Sequence, residues 1–140
     1  MSKFKLSDTM QFLTGKLNAI TGGEVSLQLT IDADEVSAGR EVKAELRVLS
    51  PNASRKIDYV LISLDGTVQR DSKWQPYVQS AEVAQDKLLP ADHEFVIPVV
   101  IVVPEDAVLS EDGASWRIAA RAYLDKKFDP RAEASFKVVS

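Results

Sequence analysis

His93 is the one histidine of the chain, and no cysteine accompanies it. Acid–base or nucleophilic chemistry near neutral pH therefore has a single imidazole to work from. A serine–histidine–acid triad or a histidine metal site would have to be built on that residue. It follows Pro90-Ala91-Asp92, a turn signal, and precedes a β-branched run. With no nucleophile-and-orienter pattern beside it, a hydrogen-bonded or solvated histidine at the start of a strand is the favoured reading. Asp32, Asp34 and Glu35 put three hard oxygen donors in one turn. They lack the glycine and the distant glutamate of an EF-hand loop, so a solvated acidic turn is favoured over a calcium site. Gly22-Gly23 is no phosphate cradle, because it follows a predicted helix instead of opening one. Without cysteine there is no disulfide framework, thiolate metal site or cysteine nucleophile. The expectation is a chain with no catalytic residue, no cofactor-binding residue and no metal ligand: a protein that is not an enzyme.

Two tryptophans allow one further chemistry, stacking on sugar rings, as carbohydrate-binding modules do. Trp116 opens an alternating strand and is expected in the core. Trp74 lies with Pro76 and Tyr77 in a poorly patterned stretch and is the better candidate for an exposed contact. Burial is still favoured for a ring of that size, since it gains most out of water.

The elements that would carry these residues are mostly strands. Val25, Leu27, Leu29 and Ile31 alternate on one side of an extended segment. Val42, Ala44, Leu46 and Val48 do so on a second, after a turn over 32–40. Period-2 alternation marks half-buried strands, and a hairpin alone is marginal in water. The rest of the chain must therefore supply a second apolar sheet. Residues 57–68 read as a long central strand interrupted by a turn or bulge signal at Asp65-Gly66. Residues 71–92 read as an irregular edge hairpin. Residues 93–103 are a β-branched run in which Pro98, having no N–H, marks an edge, a bulge or a switch between sheets. After an acidic loop over 104–115, Trp116, Ile118, Ala120 and Ala122 alternate, as do Ala134, Phe136 and Val138. About seven to nine strands result, with turn signals at sandwich-like intervals.

One helix precedes them. Ser7 or Asp8 can cap it, Met10, Leu13, Leu17 and Ile20 recur at spacings of 3, 4 and 3, and Gly22-Gly23 ends it. The expected organisation is a short amphipathic helix over 1–22 and one sandwich domain over 23–140. The opening residues hold no uninterrupted apolar run, which points to neither a secretory signal nor a span and favours the cytoplasm. With 17 basic against 21 acidic residues, a net charge of -4 and scattered basic positions, nucleic acid is a poor partner.

Four segments in order resemble the arrestin fold, and within it the arrestin-like domain of bacterial sporulation-control proteins. They are Val36-Ser37-Ala38-Gly39-Arg40-Glu41-Val42, Lys56-Ile57-Asp58-Tyr59-Val60-Leu61-Ile62-Ser63-Leu64, the strand and proline–acidic turn over 95–110, and 116–125 with Phe136-Lys137-Val138. The resemblance implies an all-β, immunoglobulin-like antiparallel sandwich and a regulatory adaptor or scaffold acting through protein partners. It carries no binding residue to this chain. From the residues themselves, Trp74, Tyr77 and the helix positions Leu13 and Leu17 are the expected partner contacts. The alternative is a structural subunit that binds itself through sheet edges or the helix into a homo-oligomer.

Overall fold

The computed structural model describes residues 25–50, 54–124 and 130–140. The predicted helix over 7–20, with Leu13 and Leu17, lies outside the described residues. Eight strands run in order: β1 (Ser26–Ile31), β2 (Glu35–Ser37), β3 (Glu41–Leu49), β4 (Arg55–Arg70), β5 (Lys73–Leu89), β6 (Glu94–Val102), β7 (Trp116–Leu124) and β8 (Arg131–Val139), with one 3-10 turn at Ser110–Asp112. They form a three-stranded sheet, β1-β3-β6, and a five-stranded sheet, β2-β8-β7-β4-β5. This is the all-β arrestin-like sandwich expected from the sequence.

Hydrophobic alternation decides which face of each sheet turns inward. On β1 and β3 the inward rows are Leu27, Leu29 and Ile31 and Val42, Ala44, Leu46 and Val48, all buried. Opposite them lie Ile57, Val60, Ile62 and Leu64 of β4, Trp116, Ile118, Ala120 and Ala122 of β7, and Ala134, Phe136 and Val138 of β8. A one-residue slip of any of these strands would turn its apolar row to solvent, so the register is strongly specified. β1 and β3 pair antiparallel from Ser26 opposite Leu49 to Ile31 opposite Ala44.

Three local readings change. The turn over 32–40 contains β2, which leaves the first sheet and pairs parallel with β8, Val36 opposite Val138; three residues are too few to show a period. Residues 73–89 are one continuous edge strand, not a hairpin, and pair with β4 along its length. A two-residue turn at Asp71 and Ser72, both at positive φ, joins the arms. Asp65-Gly66 is neither turn nor bulge, since β4 runs straight through it. The irregularities of β4 lie at Val60/Leu61 and between Ile57 and Tyr59.

Gly66 has another cause. A Cβ there would sit 2.1 Å from an indole carbon of Trp116, so the buried ring lies flat against bare backbone. The indole N–H donates to the Val108 carbonyl at 2.9 Å. The loop after β6 is thereby fixed to the side of β4, where Val108 N–H donates to Thr67 O at 2.8 Å and Gln69 N–H to Asp106 O at 2.9 Å.

Candidate interaction surface

β6 is the end strand of the smaller sheet, and its residues are apolar on both sides. It pairs with β3 without a break, from Glu94 opposite Leu49 to Val102 opposite Glu41. Just past its ends, Ser50 N–H donates to His93 O at 3.0 Å and Val103 N–H to Arg40 O at 2.9 Å. In an antiparallel pair the inward-bonding residues alternate, so the odd-numbered residues of β6 bond to β3. Val96, Pro98, Val100 and Val102 then aim their backbone groups at the open edge, where no other described strand pairs with them. Pro98 sits on that edge, as its missing N–H predicts.

The same four residues put their side chains on the outer face of the sheet. Val96, Val100 and Val102 are 48%, 56% and 52% exposed. Beside them on β3, in register, stand Arg47, Glu45, Lys43 and Glu41. Arg47 and Glu45 pair at 3.1 Å, both partly exposed. On the inner side Phe95, Ile97 and Ile101 are only partly buried and pack against the core, as do Tyr77 and Val83 of β5. The sandwich is thus incompletely closed along the side where its sheets end in β5 and β6.

Of the expected partner contacts, Trp74 and Tyr77 lie among the described residues. Trp74 is 53% exposed near the β4–β5 turn, with Gly113 of the acidic loop beside its indole. Tyr77 leans inward, its ring 6.1 Å from that of Trp116, and its hydroxyl donates to Gln79 Oε1 at 2.9 Å. Trp116 is buried, as expected. Sequence reasoning passed over the valine row of β6, because valines at both parities read as a strand covered on both faces. Pro98 was the signal that this strand is an edge.

The candidates for chemistry resolve simply. His93 is exposed, and its Nδ1 donates to the Ala91 carbonyl at 2.8 Å, the position that the acid of a triad would occupy. Asp32 accepts from Lys43 N–H at 3.4 Å beside the β1–β3 pairing, while the Asp34 carbonyl accepts from Lys137 N–H at 2.9 Å where β2 meets β8. Among the described residues no group of three or more histidines, cysteines or carboxylates could hold a metal ion. No described helix is long and apolar enough to cross a membrane.

Two electrostatic features stand elsewhere. Arg70 Nε lies 2.6 Å from Asp106 Oδ2, and this hydrogen bond holds the carboxyl below its ordinary 3.8 and raises the guanidinium. Tyr59 and Tyr123 stack with centroids 4.2 Å apart on the outer face of the larger sheet. Desolvation, then the neighbouring Tyr123, raises the Tyr59 phenol. Arg121 lies over the Tyr123 ring at 4.6 Å.

No family model matches the chain, and no curated protein matches it. Solved structures do. The sporulation control protein Spo0M from Bacillus subtilis superposes with a TM-score of 0.71 at 15% identity, over 84% of this chain and 50% of that one. The present chain thus spans half the length of that protein. AvmM, which catalyzes macrocyclization in alchivemycin A biosynthesis, is similar at a TM-score of 0.57 and 10% identity, over 85% of this chain and 90% of that one. The alkylpurine DNA glycosylase AlkC from Pseudomonas fluorescens, bound to DNA containing an abasic site analog, follows at 0.54 and 14%, over 96% of this chain and 35% of that one. At such identities the likeness is one of fold, and these three proteins show how different the uses of one fold can be.

Proposed function

We propose that the chain is a non-enzymatic, arrestin-like interaction module, an adaptor that binds an extended segment of a protein partner along the free edge of β6. The observation that carries this reading is the edge itself: a nine-residue end strand with apolar side chains on both faces. Native edge strands are usually blunted by charge, brevity or a covering element. β6 has no charged residue between Glu94 and Val102, and Pro98 is its one interruption. An added strand would take main-chain hydrogen bonds from Val96, Val100 and Val102. Its inward side chains would meet Phe95, Ile97 and Ile101, completing the open side of the core. Fold likeness to a sporulation control protein fits a regulatory role of this kind.

The test is selection of peptides from a random decapeptide library on the immobilised full chain, followed by the variant Val100→Pro. That change deletes one outward N–H while leaving the pairing with β3 intact. Peptides selected on wild type should lose at least about tenfold in affinity, the scale of one charge-neutral hydrogen bond plus local mispacking. Unchanged affinity for Val100→Pro, with circular dichroism like that of wild type, would remove the reading.

A further inference from the structure

The outer face of the β1-β3-β6 sheet carries a second pattern that the edge reading does not use. Reading along β3, its outward residues are Glu41, Lys43, Glu45, Arg47 and Leu49, so the first four alternate acid, base, acid, base. The neighbouring row on β6 is Val102, Val100, Pro98, Val96 and Glu94, in the same register. The row on β1 is uncharged: Ser26, Gln28 and Thr30. An alternating row of four is complementary to its own reverse. When two such faces are laid together with the strands antiparallel, Glu41 meets Arg47 and Lys43 meets Glu45 in both halves of the contact. The centre of that reversal lies at Ala44 on β3 and at Val99 on β6, and these two residues are partners in the sheet. One twofold axis therefore serves both rows. The same operation lays Val96 over Val102 and Pro98 over Val100.

We infer that this face is an isologous contact between two copies of the chain. A twofold interface requires a patch that complements itself, and here the charge order and the apolar row satisfy that requirement. The ion pair of Arg47 with Glu45 within one chain leaves both groups partly exposed, so each can also face its opposite in the second copy. Under this axis β1, which lies beside only Ala44 to Leu49, faces no β1 of the second copy. The shared contact is therefore β3 and β6 over seven residues each, about 10 by 24 Å. Two of them bury on the order of 500 Å², well below the roughly 1,200–2,000 Å² of a stable complex. The dimer is therefore weak and reversible. Because the contact is face to face, the backbone edge of β6 stays open in both copies. The inference goes beyond the adaptor reading and holds with or without a strand-adding partner.

Sedimentation equilibrium of the full chain, from about 10 µM to about 1 mM, tests it. The wild type should move with concentration from 15.4 kDa toward twice that mass. K43E alone puts an acid opposite Glu45 of the second copy at two places, and E45K alone puts a base opposite Lys43 at two places. Each should weaken the dimer at least about tenfold, as like charges in register do. The double variant K43E/E45K restores every opposite pairing and should return to within about threefold of wild type. An equimolar mixture of the two single variants should likewise associate, because each supplies the complement of the other. A wild type that stays monomeric at the top concentration overturns the inference. So does a dimer whose constant the single variants leave unchanged, since that places the contact on another surface.

Discussion

Replacing Gly66 by alanine adds one methyl group and meets the least yielding object in the core. The new carbon would lie 2.1 Å from one Trp116 ring atom and within 2.3 Å of two others, where ordinary contact needs about 3.5 Å or more. The indole cannot swing aside cheaply. It is 1% exposed, its centroid is 6.5 Å from that of Phe136, and its N–H is tied to the Val108 carbonyl. Moving it by more than 1 Å strains the core by about 1–3 kcal/mol, as overpacking does. Breaking the indole hydrogen bond leaves a buried donor unpaired, at about 1–3 kcal/mol. The expected loss is about 2–5 kcal/mol out of the roughly 5–15 kcal/mol that holds a domain together, or a fall in Tm of roughly 10 °C. Thermal melting followed by circular dichroism reads it. The double variant Gly66→Ala/Trp116→Leu should cost less than the sum of its single changes, because the smaller side chain removes the clash. A Gly66→Ala protein that melts within about 2 °C of wild type, within the range of an ordinary surface change, would refute the packing argument.

Three further outcomes follow from the same structure. Pro98→Val supplies the missing edge donor and lengthens the run of β-branched residues, so it should raise the tendency of the chain to aggregate edge to edge; light scattering at fixed concentration against wild type checks this. Arg70→Gln should return the Asp106 carboxyl toward its ordinary value, read by NMR titration of that carboxyl. The folded value is depressed, so the contribution of the pair is present above the unfolded value near about pH 4 and fades as pH falls through the lower folded value. The difference in stability between the two proteins should shrink over that range. Trp74→Ala, at a half-exposed site, should change stability by no more than about 1 kcal/mol. Tyr77→Ala should cost more, about 1–3 kcal/mol, because its ring packs on the core; urea titration separates the two.

What the sequence showed of this fold follows from where alternation survives. β1, β3, β7 and β8 each present one buried and one wetter face, and their rows from Val25 to Ile31, Val42 to Val48, Trp116 to Ala122 and Ala134 to Val138 were readable residue by residue. β5 was not, because an edge strand exposed along most of both faces, with only Tyr77, Val83 and Ala84 against the core before its buried end, has no period to show, and it read as irregular. β2 is too short for a period and belongs to the sheet opposite its neighbours. Gly66 looked like a turn because glycine signals a turn when seen alone; its reason sits fifty residues away in Trp116. For the candidate surface, Pro98 gave the edge, whereas the exposure of Val96, Val100 and Val102 followed from the sheet order. The alternation of charge along β3 was present in the sequence, but its meaning depended on knowing that β6 runs beside it in matching register.

The central claim is that the outer edge of β6 is open backbone, ready to accept a strand. Residue-resolved amide hydrogen exchange of the full chain tests it most directly. Protection should follow a period of two along β6: slow exchange at Phe95, Ile97, Val99 and Ile101, whose N–H groups bond to β3, and fast exchange at Val96, Val100 and Val102. Uniform slow exchange across all seven amides would show that the edge is already occupied and closed to an added strand.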